Sequence, residues 1–210
     1  MDQIELLIKR YESLKVVKED IIKAYEIIKE SYKNGGKLLA CGNGGSAADS
    51  EHIVGELMKC FKKKRELDLD FQEKLKNVDP KVGSYLAKNL DKPLEAIALT
   101  GEISLNTAII NDLDNGGELC FASQVLGYGK KGDVLFAIST SGNSKNIYNA
   151  CVVAKAKGLK IIGLTGKTGG ILKDISDVAI VVPENETYMI QELHLPIYHT
   201  LCLMLEDEFF

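Results

Sequence analysis

The sequence predicts a three-layer α/β sandwich: a doubly wound, mostly parallel, flavodoxin-like sheet of five strands, with helices on both faces and a helical extension at the N-terminus. Three observations carry that prediction. Short apolar runs of strand length alternate with longer stretches whose apolar residues recur at helical spacing, which is the pattern of βαβ units. Two of the runs, residues 37–41 and 133–138, turn abruptly into glycine, serine and asparagine before a helix begins. Strands of an open parallel sheet offer such loops at their carboxyl edge, where ligands bind. Finally, 210 residues suit one domain of ordinary size, able to bury a core without disulfides or a metal staple.

Residues 2 to about 34 read as helices, with apolar positions at Ile4, Leu6, Leu7, Tyr11, Leu14 and Val17, then at Ile21, Ile22, Tyr25, Ile27, Ile28 and Tyr32. These are more apolar faces than one sheet contact needs, so the first helix packs either on another subunit or on its own sheet. Gly35-Gly36 ends the second helix and leads into the first strand. A helix from 47 to about 59 carries His52 and Glu56, four residues apart and therefore on one face, a spacing that suits a shared metal or an exposed helical pair. Residues 62–92 read as a solvated insertion with one or two short surface helices. Its basic run Lys62-Lys63-Lys64-Arg65 is balanced by Glu66, Asp68 and Asp70 and does not mark a nucleic-acid patch.

A third strand is expected at 95–99, a short helix near 104–110 ending on Asn111-Asp112, and another helix over 116–127 with Leu119, Phe121, Ala122 and Val125 inward. After the central strand at 133–138, Ile147, Ala150, Cys151, Val153 and Ala154 mark a helix, and further strands follow at 160–164 and 178–182. The closing helix, about 187–208, presents Gln191, His194 and His199, with Pro196 inside its pattern as an expected kink. His194 reads as a structural histidine satisfied by a polar neighbour.

Hydrophobic content of 45%, 27% charged residues and a net charge of −4 describe a soluble globular protein and argue against nucleic acid as a partner. The N-terminus has no apolar signal core and no run approaches a membrane span, so a cytoplasmic protein is expected. Five scattered cysteines without CxxC spacing are expected to be reduced, with Cys41, Cys151 and Cys202 as small core residues.

The loop Ser139-Thr140-Ser141-Gly142-Asn143-Ser144 joins a strand end to a helix start. Free backbone N–H groups, the positive end of the helix dipole and four hydroxyls suit a phosphate monoester, although the same residues also make an ordinary capped turn. The second loop, Gly42-Asn43-Gly44-Gly45-Ser46, repeats the arrangement, with Gly44 and Gly45 allowing close approach of ligand to backbone. Neither a P-loop nor a GxGxxG fingerprint is present, so a nucleotide is not the first expectation.

Together these two loops, with Gln191-Glu192-Leu193-His194 through His199, resemble the sugar isomerase (SIS) domain family, and within it the phosphoheptose isomerases. The resemblance spans nearly the whole chain as a single domain, 1–210, and weakens between about 61 and 94. It implies a phosphosugar isomerase, with sedoheptulose 7-phosphate converted to a heptose 7-phosphate through an enediol. It also implies that Glu56 and His199 move the proton, and that substrate contacts come from Asn43, Gly44, Gly45, Ser46, Glu56, Asn111, Asp112, Ser139, Thr140, Ser141, Ser144 and Gln191. Zinc would be held by His52, Glu56, Gln191 and His199, and four subunits would assemble with active sites at their interfaces. Gln191 and His199, however, stand about 12 Å apart along an ideal helix, so either Pro196 distorts the helix or the ligands come from different chains. Two departures concern the sugar: Cys60 stands where these enzymes commonly carry an arginine, and Tyr188 where they often carry an acid. Two alternatives remain, an isomerase of another phosphosugar and a non-catalytic SIS regulator.

Overall fold

The computed structural model describes residues 3–210; residues 1 and 2, where the N-terminal helices were expected to begin, lie outside that range. The apolar runs form five strands: β1 Leu38–Cys41, β2 Ala96–Ala98, β3 Val134–Ser139, β4 Lys160–Thr165 and β5 Val178–Val181. They pair in the order β2-β1-β3-β4-β5, and every pairing is parallel. Strand order reverses beside β1, so the crevice between the ends of β1 and β3 is the switch point where such sheets bind ligands.

Alternate strand residues serve opposite cores, as the two-residue period of a strand requires. Leu38, Ala40, Val134, Phe136, Ile138, Ile162 and Leu164 pack on one face against α1 (Gln3–Arg10), α2 (Lys18–Lys33), α3 (Gly45–Met58) and α10 (Thr187–Phe209). Leu39, Cys41, Leu135, Ala137 and Ile161 pack on the other against α7 (Cys120–Tyr128), α8 (Lys145–Lys157) and α9 (Gly170–Ile175). The three layers are those the sequence predicts.

The N-terminal extension packs on its own chain. Ile4, Leu7, Leu14, Val17, Ile21, Ala24 and Ile28 all enter the first core, and a 3-10 segment at Glu12–Val17 turns α1 back onto α10. Other departures are local. The helix expected over 116–127 splits into a 3-10 turn, Gly116–Glu118, and α7; α9, only six residues starting at a glycine, carried no periodic signal; and α10 runs unbroken through Pro196.

Residues 62–92 hold a helical hairpin, α4 Leu69–Val78 and α5 Pro80–Asn89, in which Asp79 Oδ1 accepts from the N–H groups of Lys81 and Val82 to cap α5. The preceding basic run is solvated only in part, since Arg65 is wholly buried. The short α6, Ile103–Asp112, follows β2. Among the described residues no helix is long and apolar enough to cross a membrane, and the five cysteines are free, with burial pushing the thiols of Cys151 and Cys202 up to about 12.

Candidate active site

The loops after β1 and β3 meet at the switch point. Asn43 Nδ2 donates to Asn146 Oδ1 at 2.9 Å and Asn146 Nδ2 returns a bond to Asn43 Oδ1 at 2.8 Å, so a reciprocal amide pair ties the two loops together. Asn146 escaped the sequence reading because its partner lies 103 positions away. The joined loops open a cavity lined by Asn43, Gly44, Gly45, Ser46, Ser139, Thr140, Ser144, Thr187 and Gln191, with Ile138 beneath. Ser139 Oγ and Ser144 Oγ lie 3.0 Å apart across its floor.

Two glycines make this geometry. Gly44 adopts φ +57°, where a side chain would be strained. A Cβ on Gly45 would stand 2.5 Å from Gln191 Nε2, so the missing side chain is what admits α10 to the loop. The helices α3 and α8 both start at this cavity, and neither Gly44 nor Ser144, their N-cap residues, caps them with a side chain; within α8 the Ile147 N–H donates to Asn146 Oδ1 at 3.0 Å. No lysine or arginine lines it. Helix starts and hydroxyls thus supply its polarity, which suits an anion.

The expected phosphate residues are not all equivalent. Ser46, Ser139, Thr140 and Ser144 line the cavity, whereas Ser141 Oγ accepts the Asn143 N–H at 3.2 Å and is not among the lining residues. Asn111 and Asp112 end α6 in solvent, bonded to each other at 2.8 Å, and do not line the cavity either.

The second half of the site stands where α3 faces α10. His52 Nε2 lies 3.3 Å from Glu56 Oε1, as their shared helix face requires. The His52 ring packs edge-on to His199 with centroids 5.0 Å apart, and Phe61 covers His199 at 5.4 Å. Glu56 Oε2 and His199 Nε2 are both buried without a hydrogen-bond partner; the nearest cation to that carboxylate oxygen is Lys59 Nζ at 3.8 Å. Burial holds the His199 pKa below the usual histidine range, as does the charge of His52, against an opposing pull from Glu56. An imidazole and a carboxylate gathered in one cluster can take up and return protons.

Tyr198 and Asp49, absent from the expected site, complete the cluster: Tyr198 OH contacts His52 Nδ1 at 3.0 Å and donates to Asp49 Oδ1 at 3.2 Å. His194 differs. It is wholly buried, both ring nitrogens lack a hydrogen-bond partner, and the backbone of Thr165 approaches without making a good bond, so the expected polar satisfaction is missing.

The four expected zinc ligands divide. His52, Glu56 and His199 gather at the α3–α10 contact, while Gln191 turns to Gly45 at the anion cavity. Among the described residues no group of three or more His, Cys, Asp or Glu side chains is disposed to hold a metal.

An anion cavity at the switch point of a parallel sheet, with an acid–base cluster along the same two helices, defines a phosphosugar-handling α/β protein. The profile of the SIS domain family matches residues 2–72 and 83–166, and the chain belongs to that family, among its phosphoheptose isomerases. It is 46% identical over 180 residues to the phosphoheptose isomerase of Nitratiruptor sp., covering 86% of this chain and 81% of that one. The corresponding enzyme of Aliarcobacter butzleri is 40% identical over 195 residues, covering 93% and 88%. Among solved structures, phosphoheptose isomerases from Neisseria gonorrhoeae and Francisella tularensis superpose with TM-scores of 0.75 and 0.77, at 33% and 32% identity, each covering 97% of this chain and 94% of its own.

Proposed function

We infer that this protein interconverts sedoheptulose 7-phosphate and D-glycero-D-manno-heptose 7-phosphate. The observation that carries the reading is the pairing of the hydroxyl-lined cavity at two helix starts with the Glu56–His199 cluster on α3 and α10, the two helices that also border the cavity. The phosphate sits against Ser139, Thr140, Ser144 and the 43–46 loop, and the sugar carbons extend toward Glu56. Aldose–ketose exchange moves one proton between neighbouring carbons through an enediol. Glu56 takes it from one carbon and returns it to the other, while His199 stabilises or protonates the oxygen on which charge develops.

Zinc is a metal that imidazole nitrogen and carboxylate oxygen accept. Within one chain the four expected ligands lie in two places, so a single chain does not present a fitted zinc site, and no step above uses a metal. The reading includes a cytoplasmic location and a homotetramer with sites at its interfaces. Exposed apolar side chains on α6 (Ile103, Ile110) and on the hairpin (Leu69, Val78, Val82) support association.

The test is incubation of the purified protein with a panel of ketose phosphates, with and without added zinc. Formation of the aldose from sedoheptulose 7-phosphate is expected. Turnover of a different ketose phosphate alone would replace the substrate, and turnover of none would overturn the reading.

A further inference from the structure

We propose that the α4–α5 hairpin is an arm that docks, through α5, on α6 of a second copy of this chain. The inference rests on the reading that the protein self-associates, and it names the two surfaces that meet.

The hairpin has little support in its own chain. Its two helices pack on each other and on no other element to a comparable extent. No residue of α4 is buried, and in α5 only Gly83 is, where a Cβ would collide with the Leu75 carbonyl. Helices of ten residues are marginal in water unless an apolar face is packed. What α5 leaves uncovered is one face, since Lys81, Val82, Tyr85 and Lys88 fall within about 120° of one another around the helix. Val82 and Tyr85 are 51% and 65% exposed. The SIS family profile stops at residue 72 and resumes at 83, so the tip of the arm lies outside the shared family pattern.

The complement is on α6. Ile103, Thr107 and Ile110 share an outward face at i, i+4 and i+7, with Ile103 74% and Ile110 57% exposed, while Ile109 points inward. Glu102 precedes this stripe and Asp112 and Asp114 follow it, with no lysine or arginine between 102 and 114. Helix α5 has the reverse pattern, carrying Lys81 and Lys88 and no acid. Among the described residues these two lysines form no ion pair, although Lys74 and Lys76 on α4 are paired with Asp70 and Glu73. Glu102, Asp112 and Asp114 likewise have no cation within ion-pair distance. Apolar stripes flanked by opposite charges select α6 as the docking surface, whereas two hairpins set face to face would oppose lysine to lysine. Exchange of arms about a two-fold axis forms the contact twice and closes the pair.

Charge reversal tests the pairing. A Lys81→Glu/Lys88→Glu chain and a Glu102→Lys/Asp114→Lys chain each set like charges against each other, so each alone should associate about tenfold more weakly in sedimentation velocity. Mixed one to one, every contact again joins opposite charges, and association should return to within about threefold of wild type. All four side chains are exposed, so both variants keep the fold. Hydrogen exchange of α5 and α6 reads the contact even where other surfaces also hold the subunits, and exchange about tenfold faster in each variant alone, reversed by mixing, is expected. An oligomer whose exchange neither substitution changes, or variants that stay weakened when mixed, would overturn the docking and leave self-association standing. A wild type that sediments as a monomer would refute the self-association reading, and the docking with it.

Discussion

Arg65 and Glu206 form an ion pair shut away from solvent, with 0% and 1% of their side chains exposed and Arg65 Nε donating to Glu206 Oε1 at 2.9 Å. The guanidinium also donates to the carbonyls of Leu57 at 2.7 Å and Glu56 at 3.0 Å, the last turn of α3. Glu206 in turn accepts the N–H groups of Phe61, Lys62 and Lys63. One pair thus closes the end of the helix that carries Glu56 and clamps the strap that lays Phe61 over His199.

Removing one partner leaves the other buried and uncompensated. Glu206→Gln is expected to cost about 3–5 kcal/mol of stability, measured by urea unfolding. Burial raises the Glu206 pKa, but the three backbone donors and Arg65 outweigh it, and the net shift is downward. Stability from this carboxylate is therefore complete above the usual glutamate range and lost as pH falls through its lowered value, an acid-side loss that Glu206→Gln should lack. A stability within about 1 kcal/mol of wild type would show that the clamp contributes little.

The anion cavity separates two serines that look alike in sequence. Ser144 Oγ faces the cavity and Ser139 Oγ, whereas Ser141 Oγ is committed to the Asn143 N–H. Ser144→Ala should weaken phosphosugar binding by about 1.5–3 kcal/mol, the worth of a hydrogen bond to a charged group, and Ser141→Ala by clearly less. Calorimetry reads both, and equal losses would put Ser141 on the ligand.

The strands and both ligand loops were legible because a buried parallel strand is a continuous apolar run and its exit loop a sudden cluster of small polar residues. Residues that matter through distant partners were not. Asn146, Thr187, Asp49 and Tyr198 carry no local signal, and each acquires its role when α3, α8 and α10 converge. Arg65 was obscured by the three lysines before it, since a basic run reads as solvated until the α3 carbonyls and Glu206 close around its last member. The N-terminal helices show the opposite limit: periodicity counts apolar faces without saying whose core they enter.

His194 predicts an acid-sensitive core. Burial lowers its pKa from 6.5 to about 4, against a smaller opposing effect from the Thr165 backbone. The unfolded chain then holds more protons between those two values, so stability falls as pH drops through that window, by up to roughly 3 kcal/mol. His194→Leu should flatten this part of the stability–pH curve. An unchanged slope in unfolding experiments between pH 6.5 and 4 would assign the acid sensitivity to other groups.

Glu56 and His199 belong to one cluster of one chain, joined through His52 at 3.3 Å from the first and at a ring separation of 5.0 Å from the second. Glu56→Gln should lower kcat by about 10²–10⁴-fold with KM little changed, because the group acts on the proton and not on the phosphate. His199→Ala should likewise act mainly on kcat. Co-assembling the two inactive chains is expected to restore no activity, since every site built within one chain would keep a defect however the subunits mix. Recovery approaching a quarter of wild-type activity would mean that each working site draws Glu56 from one subunit and His199 from another, since random mixing pairs two intact groups in about one site of four. Sedimentation of the mixture supplies the control. Chains that assemble yet stay inactive locate both residues in the same subunit, whereas recovered turnover would move the proton-transfer pair to an interface.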